Sequence, residues 1–214
     1  MNNKKIFEEE YEKPIAIWTE VEPPKELVEL IENDKIKSCK VLDVGCGEGF
    51  YSIYLAKQGF EVTGIDISEN AIKYAGQNAE KAGVDIQFVV MNLNDLSKLN
   101  KNFDFIFEWS IVHLITPLEK EKYIKNINNV LKDGGKYLCV CFNINTPQFG
   151  NRGKKEIILG EDARALQKQK LYFYSLDELK KLFENYFKVI GSRLINRTTR
   201  GRKQILNYLF MEKI

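Results

Sequence analysis

One stretch of sequence decides the fold: Lys40-Val41-Leu42-Asp43-Val44-Gly45-Cys46-Gly47-Glu48-Gly49-Phe50-Tyr51. Its first five residues are mostly apolar and favour extended structure, which predicts a buried strand. Three glycines at alternating positions then break the strand, and a helix is predicted to start near Tyr51. Such a strand–turn–helix junction lets the backbone approach a ligand where a Cβ would clash. It also predicts free N–H groups pointing outward at the carboxyl end of the strand, where open α/β sheets bind ligands.

The spacing of these glycines indicates what the turn can hold. A dinucleotide-binding turn has the pattern G-x-G-x-x-G, with the pyrophosphate at the helix N-terminus. Here the pattern is Asp43-x-Gly45-x-Gly47-x-Gly49, with a carboxylate in front of the turn. That carboxylate would repel a pyrophosphate, whereas it suits a ligand with a cationic amine. The pattern therefore favours a ligand with an ammonium group over NAD.

The composition of the 214 residues is that of an ordinary globular protein, with 44% hydrophobic and 29% charged residues. The net charge of +2 gives no reason to expect nucleic acid as a partner, and no apolar run is long enough to span a membrane. The four cysteines, at positions 39, 46, 139 and 141, form no C-x-x-C pair and have no histidine cluster beside them. We expect them to be reduced, with no metal site and a cytoplasmic location.

Strand and helix patterns alternate along the chain, which is typical of a doubly wound parallel sheet. Further strands are predicted at 60–66, 85–91, 103–108 and 136–142. The helices between them are predicted to begin at Ser68, ending at Gly83, and at Thr116, ending at 133–135, with Thr116 and Glu119 as a capping box. A helix that starts at residues 175–178 runs to about residue 186, and strands at 187–195 and 204–211 form an antiparallel hairpin. The predicted fold class is α/β, with a mostly parallel, seven-stranded sheet and a C-terminal antiparallel hairpin.

The chain is predicted to be a single domain over residues 1–214. Residues 1–22 form either a frayed terminus or an arm over the ligand site, and the aromatic residues Tyr11 and Trp18 favour the arm. Residues 143–171 are long for a loop in a compact domain, and such loops are commonly functional. They follow the fifth strand, so they emerge at the same sheet edge as the glycine turn. We expect them to cover a substrate pocket.

This ordered set of motifs resembles the class I, Rossmann-like methyltransferases that use S-adenosylmethionine (SAM). The N-terminal arm, with Tyr11, Pro14, Trp18 and the helix start at Pro23-Pro24, is similar to that of thiopurine, halide/thiol and tellurite-resistance methyltransferases. The resemblance covers about residues 40–142 and adds the terminal hairpin. Its motifs are 41–49, Gly64-Ile65-Asp66, Asn92-Leu93-Asn94-Asp95-Leu96, 103–107 and Leu131-Lys132-Asp133-Gly134-Gly135.

The resemblance implies roles for particular residues. The turn Gly45-Cys46-Gly47 would pass close to the methionine part of SAM, and Asp43 would direct negative charge towards its ammonium group. Asp66, at the end of the next strand, would accept hydrogen bonds from the ribose hydroxyls. The other implied contacts are Ile67 packing on the adenine, Asn92 accepting from the adenine amine, the Leu93 N–H donating to the adenine ring, the backbone around Glu108 binding the ammonium, and Trp18 closing over SAM.

Methyl transfer is an in-line displacement, so catalysis consists largely of positioning and exclusion of water. The product would be S-adenosylhomocysteine, and the acceptor a small molecule. A soft S, Se, Te or halide nucleophile needs no base and is slightly favoured, whereas an O or N acceptor would use His113, the only histidine. Two other functions stay open: a SAM-binding protein without activity and, less favoured, an NAD-dependent oxidoreductase. The basic residues of the cover and hairpin, including Arg197 and Arg200, are expected to be mostly a solvated face, and the protein a monomer or homodimer.

Overall fold

The fold is built on one large sheet with helices on both faces. A computed structural model describes residues 3–13, 16–150, 153–159 and 169–214. The strands are Lys40–Val44 (β1), Glu61–Asp66 (β2), Gln87–Val90 (β3), Phe103–Trp109 (β4), Leu131–Phe142 (β5), Glu156–Ile158 (β6), Lys170–Tyr172 (β7), Phe187–Thr199 (β8) and Arg202–Lys213 (β9). The α-helices are Asn3–Tyr11 (α1), Lys25–Glu32 (α2), Phe50–Lys57 (α3), Glu69–Ala82 (α4), Pro117–Val130 (α5) and Leu176–Phe183 (α6), and short 3₁₀ helices span Leu93–Leu99 and Val112–Leu114.

The seven strands of the large sheet have the order β3-β2-β1-β4-β5-β9-β8. Strands β1 to β5 are parallel, β9 runs antiparallel to β5, and β8 runs antiparallel to β9. This topology confirms the predicted fold class. The strand order reverses between β1 and β4, which leaves a crevice at their carboxyl ends, the usual place for a ligand in such sheets.

Each face of the sheet buries its own hydrophobic cluster, because successive side chains of a strand point to opposite faces. In β1, Leu42 belongs to the cluster that α5 and α6 cover, and Val41 belongs to the cluster that α2 and α3 cover. Both side chains are fully buried. Packing on both faces holds the carboxyl ends of β1 and β4 in fixed positions.

The predicted helix cap at Ser68 is confirmed, because its hydroxyl accepts a hydrogen bond from Ala71 N. The helix predicted to start at residues 175–178 does so, and Ser175 forms a complete capping box with Glu178. The capping box at Thr116 is wrong: its hydroxyl donates to the Glu119 carboxylate and caps no backbone N–H. This helix also ends at Val130, earlier than predicted, because the chain already pairs with β4 from Leu131 onward.

The terminal hairpin is longer than predicted. β8 and β9 pair from Phe187↔Lys213 to Thr199↔Arg202. Residues 196–203, which separate the two predicted strands, are therefore part of the paired strands, except for the turn at 200–201. Arg200 and Gly201 both have positive φ, at 48° and 74°, which is the geometry of a tight turn that matches the twist of the strands. The extension carries Arg197 and Thr199 past the sheet edge towards the ligand crevice.

The two segments predicted to flank the site contain regular structure that the sequence did not predict. Residues 3–11 of the arm are helical as α1, which contacts α4. In the segment 143–171, β6 and β7 pair antiparallel as a separate two-stranded sheet. Residues 14–15 of the arm, with Pro14, and residues 151–152 and 160–168 of the cover, with Arg152, lie outside the described residues. Within the described ranges, no helix has the length and apolarity that crossing a membrane requires.

Candidate active site

A cavity of about 1650 Å³ lies at the carboxyl edge of the sheet, lined by residues that end or follow β1 to β5. A pocket for one drug-sized ligand usually has about 300–1000 Å³, so this cavity has room for two small molecules. It brings together all the residues predicted to contact the cofactor except Glu108, and it also contains His113. The predicted residues that line it are Trp18, Asp43, Gly45, Cys46, Gly47, Asp66, Ile67, Asn92, Leu93 and His113.

The glycine turn adopts a backbone that other residues would strain. Gly45 and Gly47 have φ of 72° and 54°, and a Cβ on Gly45 would lie 2.2 Å from the Ile111 Cδ1 atom. The expectation of outward-pointing N–H groups is wrong for three residues. Gly45 N and Cys46 N donate to the Ile65 carbonyl, and Gly47 N donates to the Asp66 carboxylate at 3.0 Å. The turn satisfies these donors against the end of β2, since unpaired buried N–H groups are costly.

Asp66 lies at the end of β2, where its carboxylate organises two turns. One oxygen accepts from Gly47 N, and the other accepts from Ser68 N at 2.9 Å. Burial raises the pKa of Asp66 to about 6, although the backbone N–H groups that it accepts from act in the opposite direction. A carboxylate offers about four acceptor positions, so Asp66 can still accept hydrogen bonds from a ligand.

Asp43 is the most deeply buried carboxyl that lines the cavity, with 2% of its surface exposed. The Ser52 hydroxyl donates to it at 2.6 Å. Burial raises the pKa of Asp43 to about 7, and the nearby charge of Asp66 adds to this effect. A cation in the cavity would reverse the shift, because it favours the ionised form.

Asn92 and Leu93 start the 3₁₀ helix that follows β3. The Asn92 side-chain oxygen accepts from Asn94 N at 2.9 Å, so it caps this helix. One acceptor position of the amide oxygen remains for a ligand. Leu93 is the first residue of the helix, where a backbone N–H has no partner within the helix. Both predicted contacts are compatible with this geometry, and their roles stay predictions.

Glu108 itself does not line the cavity, whereas the neighbouring residues Trp109 and Ser110 do, so the predicted role of the backbone around Glu108 stays a prediction. Its side chain is fully buried, and it accepts a hydrogen bond from the Tyr123 hydroxyl on α5. Burial raises the pKa of Glu108 to about 7. The residues that reach the cavity from this strand end are Trp109 and Ser110, and Ser110 has a positive φ of 70°.

His113 lies in the 3₁₀ helix after β4, with 3% of its surface exposed and its ring centroid 4.7 Å from that of Phe142. Burial lowers the pKa of His113 to about 3, and the positive charge of Lys120 contributes. The imidazole is therefore neutral at physiological pH and a weak proton acceptor. Its position in the cavity agrees with the sequence, while a catalytic role stays a prediction.

The arm closes one side of the cavity through aromatic and acidic residues. Trp18 Nε1 donates to the Tyr11 hydroxyl at 2.7 Å, and the two rings meet edge to face at 5.4 Å. The Tyr11 hydroxyl lies 2.7 Å from where a Cβ of Gly47 would be. Glu8 fixes α1 in place, because it accepts hydrogen bonds from the N-terminal end of α4. Sequence reasoning missed Glu8, since nothing distinguishes it within the acidic run 8–10.

A second set of contacts joins the arm to the terminal hairpin. Glu20 accepts two hydrogen bonds from Arg197, at 2.9 and 3.1 Å, and one each from Thr199 and Tyr51 at 3.2 Å. Arg200 donates to the carbonyl oxygens of residues 17 and 19 at 2.7 and 2.5 Å. The expectation of a mostly solvated face holds for Arg200, which is exposed although it contacts the arm, whereas Arg197 is half-buried against Glu20.

Comparison with known proteins agrees with this geometry. Residues 41–135 match a family model described as a methyltransferase domain. This segment, somewhat less than half of the chain, resembles a methyltransferase domain. The matched segment runs from β1 to the start of β5 and so contains the glycine turn, Asp66, Asn92 and His113. The family resemblance seen in the sequence is thereby confirmed.

The chain is also similar to individual methyltransferases and to their solved structures. The chain is 33% identical over 105 residues to the probable S-adenosyl-L-methionine-dependent methyltransferase TehB of Haemophilus influenzae, covering 49% of this chain and 36% of that protein. It is 36% identical over 110 residues to a ubiquinone biosynthesis O-methyltransferase of Coxiella burnetii, covering 51% and 46%. The chain therefore spans less than half the length of either relative. The structure of the 1,6-didemethyltoxoflavin-N1-methyltransferase of Burkholderia thailandensis superimposes with a TM-score of 0.77 at 20% identity, covering 99% of this chain and 87% of that one.

Proposed function

We propose that this protein binds SAM at the glycine turn and transfers its methyl group to a small molecule held in the same cavity. The observation that carries the proposal is the buried carboxyl of Asp43 together with the half-buried carboxyl of Asp66, beside a turn that only glycine fits. The structural neighbour from Burkholderia thailandensis, which has the same fold, holds S-adenosylhomocysteine together with its substrate. SAM supplies an electrophilic methyl group on a positively charged sulfur.

The residues of the cavity fit both the methionine part and the adenosine part of SAM. Asp43 is buried beside the turn without an ion pair, so an ammonium group there would supply the missing positive charge. Asp66 retains acceptor positions for ribose hydroxyls, and Asn92 and Leu93 offer one acceptor and one donor for an adenine. Ile67, Cys46 and the arm residue Trp18 are proposed to cover the cofactor's apolar surfaces.

The reaction needs little acid–base chemistry from the protein. The electron pair of the acceptor atom forms the new bond to the methyl carbon, and the electrons of the broken sulfur–carbon bond remain on sulfur. A thiol loses its proton to solvent before the transfer, because the thiolate is the nucleophile. Since burial makes His113 a weak base, we propose a soft S, Se, Te or halide nucleophile ahead of an O or N acceptor.

Several further expectations are also proposals. We propose that residues 1–214 act as one methyltransferase domain, with residues 1–22 as the arm and residues 143–171 as the substrate cover. A cytoplasmic location and a monomeric or homodimeric state remain predictions from the sequence. A SAM-binding protein without transferase activity is the alternative that a turnover assay must exclude.

The test is calorimetry with SAM, S-adenosylhomocysteine and NAD, followed by turnover assays. We expect SAM and its product to bind and NAD not to bind. Turnover with labelled SAM is then measured across thiols, iodide, small phenols and amines. Tight binding of NAD would refute the cofactor assignment, and turnover of amines alone would refute the soft nucleophile. SAM binding without turnover of any acceptor would favour the inactive alternative.

A further inference from the structure

The cavity wall includes residues whose buried polar atoms have no partners. Within the part of the chain that the structure describes, five buried side-chain N or O atoms make no hydrogen bond. Three of them belong to residues that line the cavity: Trp109 Nε1, His113 Nδ1 and Gln169 Oε1. Leaving a buried polar group unpaired costs about 1–3 kcal/mol, so native proteins retain few of them and usually for a reason. Their concentration on one cavity indicates that a ligand completes them.

The chemistry of these three groups is complementary. Trp109 Nε1 is only a donor. Gln169 donates through Nε2 to the Lys170 carbonyl at 3.2 Å, so its Oε1 is left as the acceptor. His113 is neutral, and its Nδ1 is either a donor or an acceptor, depending on the tautomer. A molecule that satisfies this wall must therefore offer both a hydrogen-bond acceptor and a hydrogen-bond donor.

One of these polar groups, His113, lies in a row of aromatic rings. The rings of His113, Phe142 and Phe149 pack in a row, with centroids 4.7 and 4.9 Å apart, and all three residues line the cavity. Aromatic rings favour edge-to-face or offset contacts with another flat ring. The wall is thus suited to a planar guest.

Two cations that line the cavity are already paired with carboxylates. Lys170 pairs with Glu156 at 2.7 Å, and Arg197 pairs with Glu20 at 2.9 Å. An inorganic oxyanion would have to displace one of these carboxylates to use either cation, whereas Arg200 and Arg202, which also line the cavity, have no carboxylate partner among the described residues. Anionic acceptors are therefore included in the test of the subsite.

We propose that Trp109, His113 and Gln169 form the acceptor subsite of this cavity and determine its specificity. The guest is an aromatic or heteroaromatic molecule that carries, besides its nucleophilic atom, one hydrogen-bond acceptor and one donor. The subsite rests on the proposed function, because it assumes that the remainder of the cavity holds SAM. The volume of about 1650 Å³ leaves space for both molecules.

The test compares aromatic thiols of similar size that differ in their hydrogen-bonding groups, at about pH 8, where each thiol is largely ionised. 4-Sulfanylbenzamide, whose amide offers both an acceptor and a donor, is compared with 4-sulfanylacetophenone, which lacks the donor, and with 4-isopropylbenzenethiol, which lacks both; iodide and tellurite are the anionic probes. We expect kcat/KM to be at least about tenfold higher for the amide than for 4-isopropylbenzenethiol, the value of one hydrogen bond. Gln169→Leu and Trp109→Phe should each reduce this preference at least about fivefold, while the Kd for SAM stays unchanged.

Asn128→Leu is the matched control, because Asn128 Oδ1 is equally buried and unpaired but does not line the cavity. It should leave the preference intact. Turnover of iodide or tellurite without turnover of any aromatic, or an unchanged preference in both subsite variants, would overturn the proposal. Absence of turnover of every aromatic by protein that binds SAM would also overturn it. If SAM does not bind, the proposed function fails instead.

Discussion

The unusual ionisation of Asp43 gives a direct test of the cofactor's position. With a pKa of about 7, Asp43 is protonated in about 0.9 of the molecules at pH 6 and about 0.2 at pH 7.5. An ammonium group placed beside this carboxyl favours its ionised form. Binding of SAM should then release up to about 0.9 of a proton from Asp43 at pH 6 and about 0.2 at pH 7.5. The affinity for SAM should rise about eightfold over the same interval.

Calorimetry in two buffers with different ionisation enthalpies counts these protons. The variant Asp43→Asn keeps an oxygen that accepts from the Ser52 hydroxyl but removes both the titration and the negative charge, so its proton release is measured at SAM concentrations high enough to offset the weaker binding. Asp66, with a pKa of about 6, contributes in both proteins, so the difference between them isolates Asp43. Equal proton release in the wild type and Asp43→Asn would refute the placement of the ammonium group at Asp43.

The same carboxyl also predicts how the stability of the unliganded protein depends on pH. Its pKa is raised in the folded state, so between about pH 4 and pH 7 the folded protein holds a proton that the unfolded chain has lost. The free energy of unfolding should therefore fall as pH rises through this window, with Asp43 contributing up to about 1.4 kcal/mol per pH unit. Urea unfolding of Asp43→Asn should show a shallower decline. An equally steep decline in the variant would contradict the raised pKa.

Two further variants test the turn and the arm. Gly45→Ala should lower the free energy of unfolding by about 2–4 kcal/mol, since its Cβ would meet Ile111 and its φ is positive. The control is Gly59→Ala, at φ 84° with no atom nearer than 3.6 Å, which should lower it by only about 1–2 kcal/mol. Equal losses of the two variants in urea unfolding would contradict the clash at Gly45. Glu20→Gln should speed proteolysis within residues 13–24, measured by mass spectrometry, because the arm loses its charged anchor. Glu29→Gln, which removes a half-exposed ion pair, is the control, and equal cleavage in both variants would count against the anchor.

Local signals made most of the fold predictable. Ser68 and Ser175 precede amphipathic helices, and their hydroxyls satisfy N–H groups that no other atom reaches, so the sequence pattern and the structure agree. Thr116 has the same pattern, yet its hydroxyl bonds to the Glu119 side chain instead. A capping motif identifies where a helix starts more reliably than which hydrogen bond forms there. The helix end was misplaced because pairing of Leu131 with β4 overrides the glycine signal.

The site was predictable where it follows the sheet and was missed where distant segments meet. Asp43 and Asp66 end or adjoin neighbouring strands, so the topology alone brings them together. The contacts of Glu8 with α4 and of Glu20 with Arg197 join segments about 60 and 177 residues apart, and no periodicity in the sequence indicates such pairs. The burial that gives Asp43 a pKa of about 7 likewise depends on the packed structure.

The long-range contacts also connect the two ends of the cavity. The Arg197 guanidinium that holds Glu20 lies 5.2 Å from the ring centroid of Trp109, the proposed donor to the acceptor molecule. The residue of the arm that precedes Glu20, Thr19, donates to Glu48 in the glycine turn. The proposed closure of the arm over the cofactor would therefore also fix the position of the Arg197 guanidinium on the Trp109 ring. Because one side chain serves both ends, loss of Arg197 should disturb cofactor closure and acceptor binding together, whereas loss of Gln169 should disturb only the second.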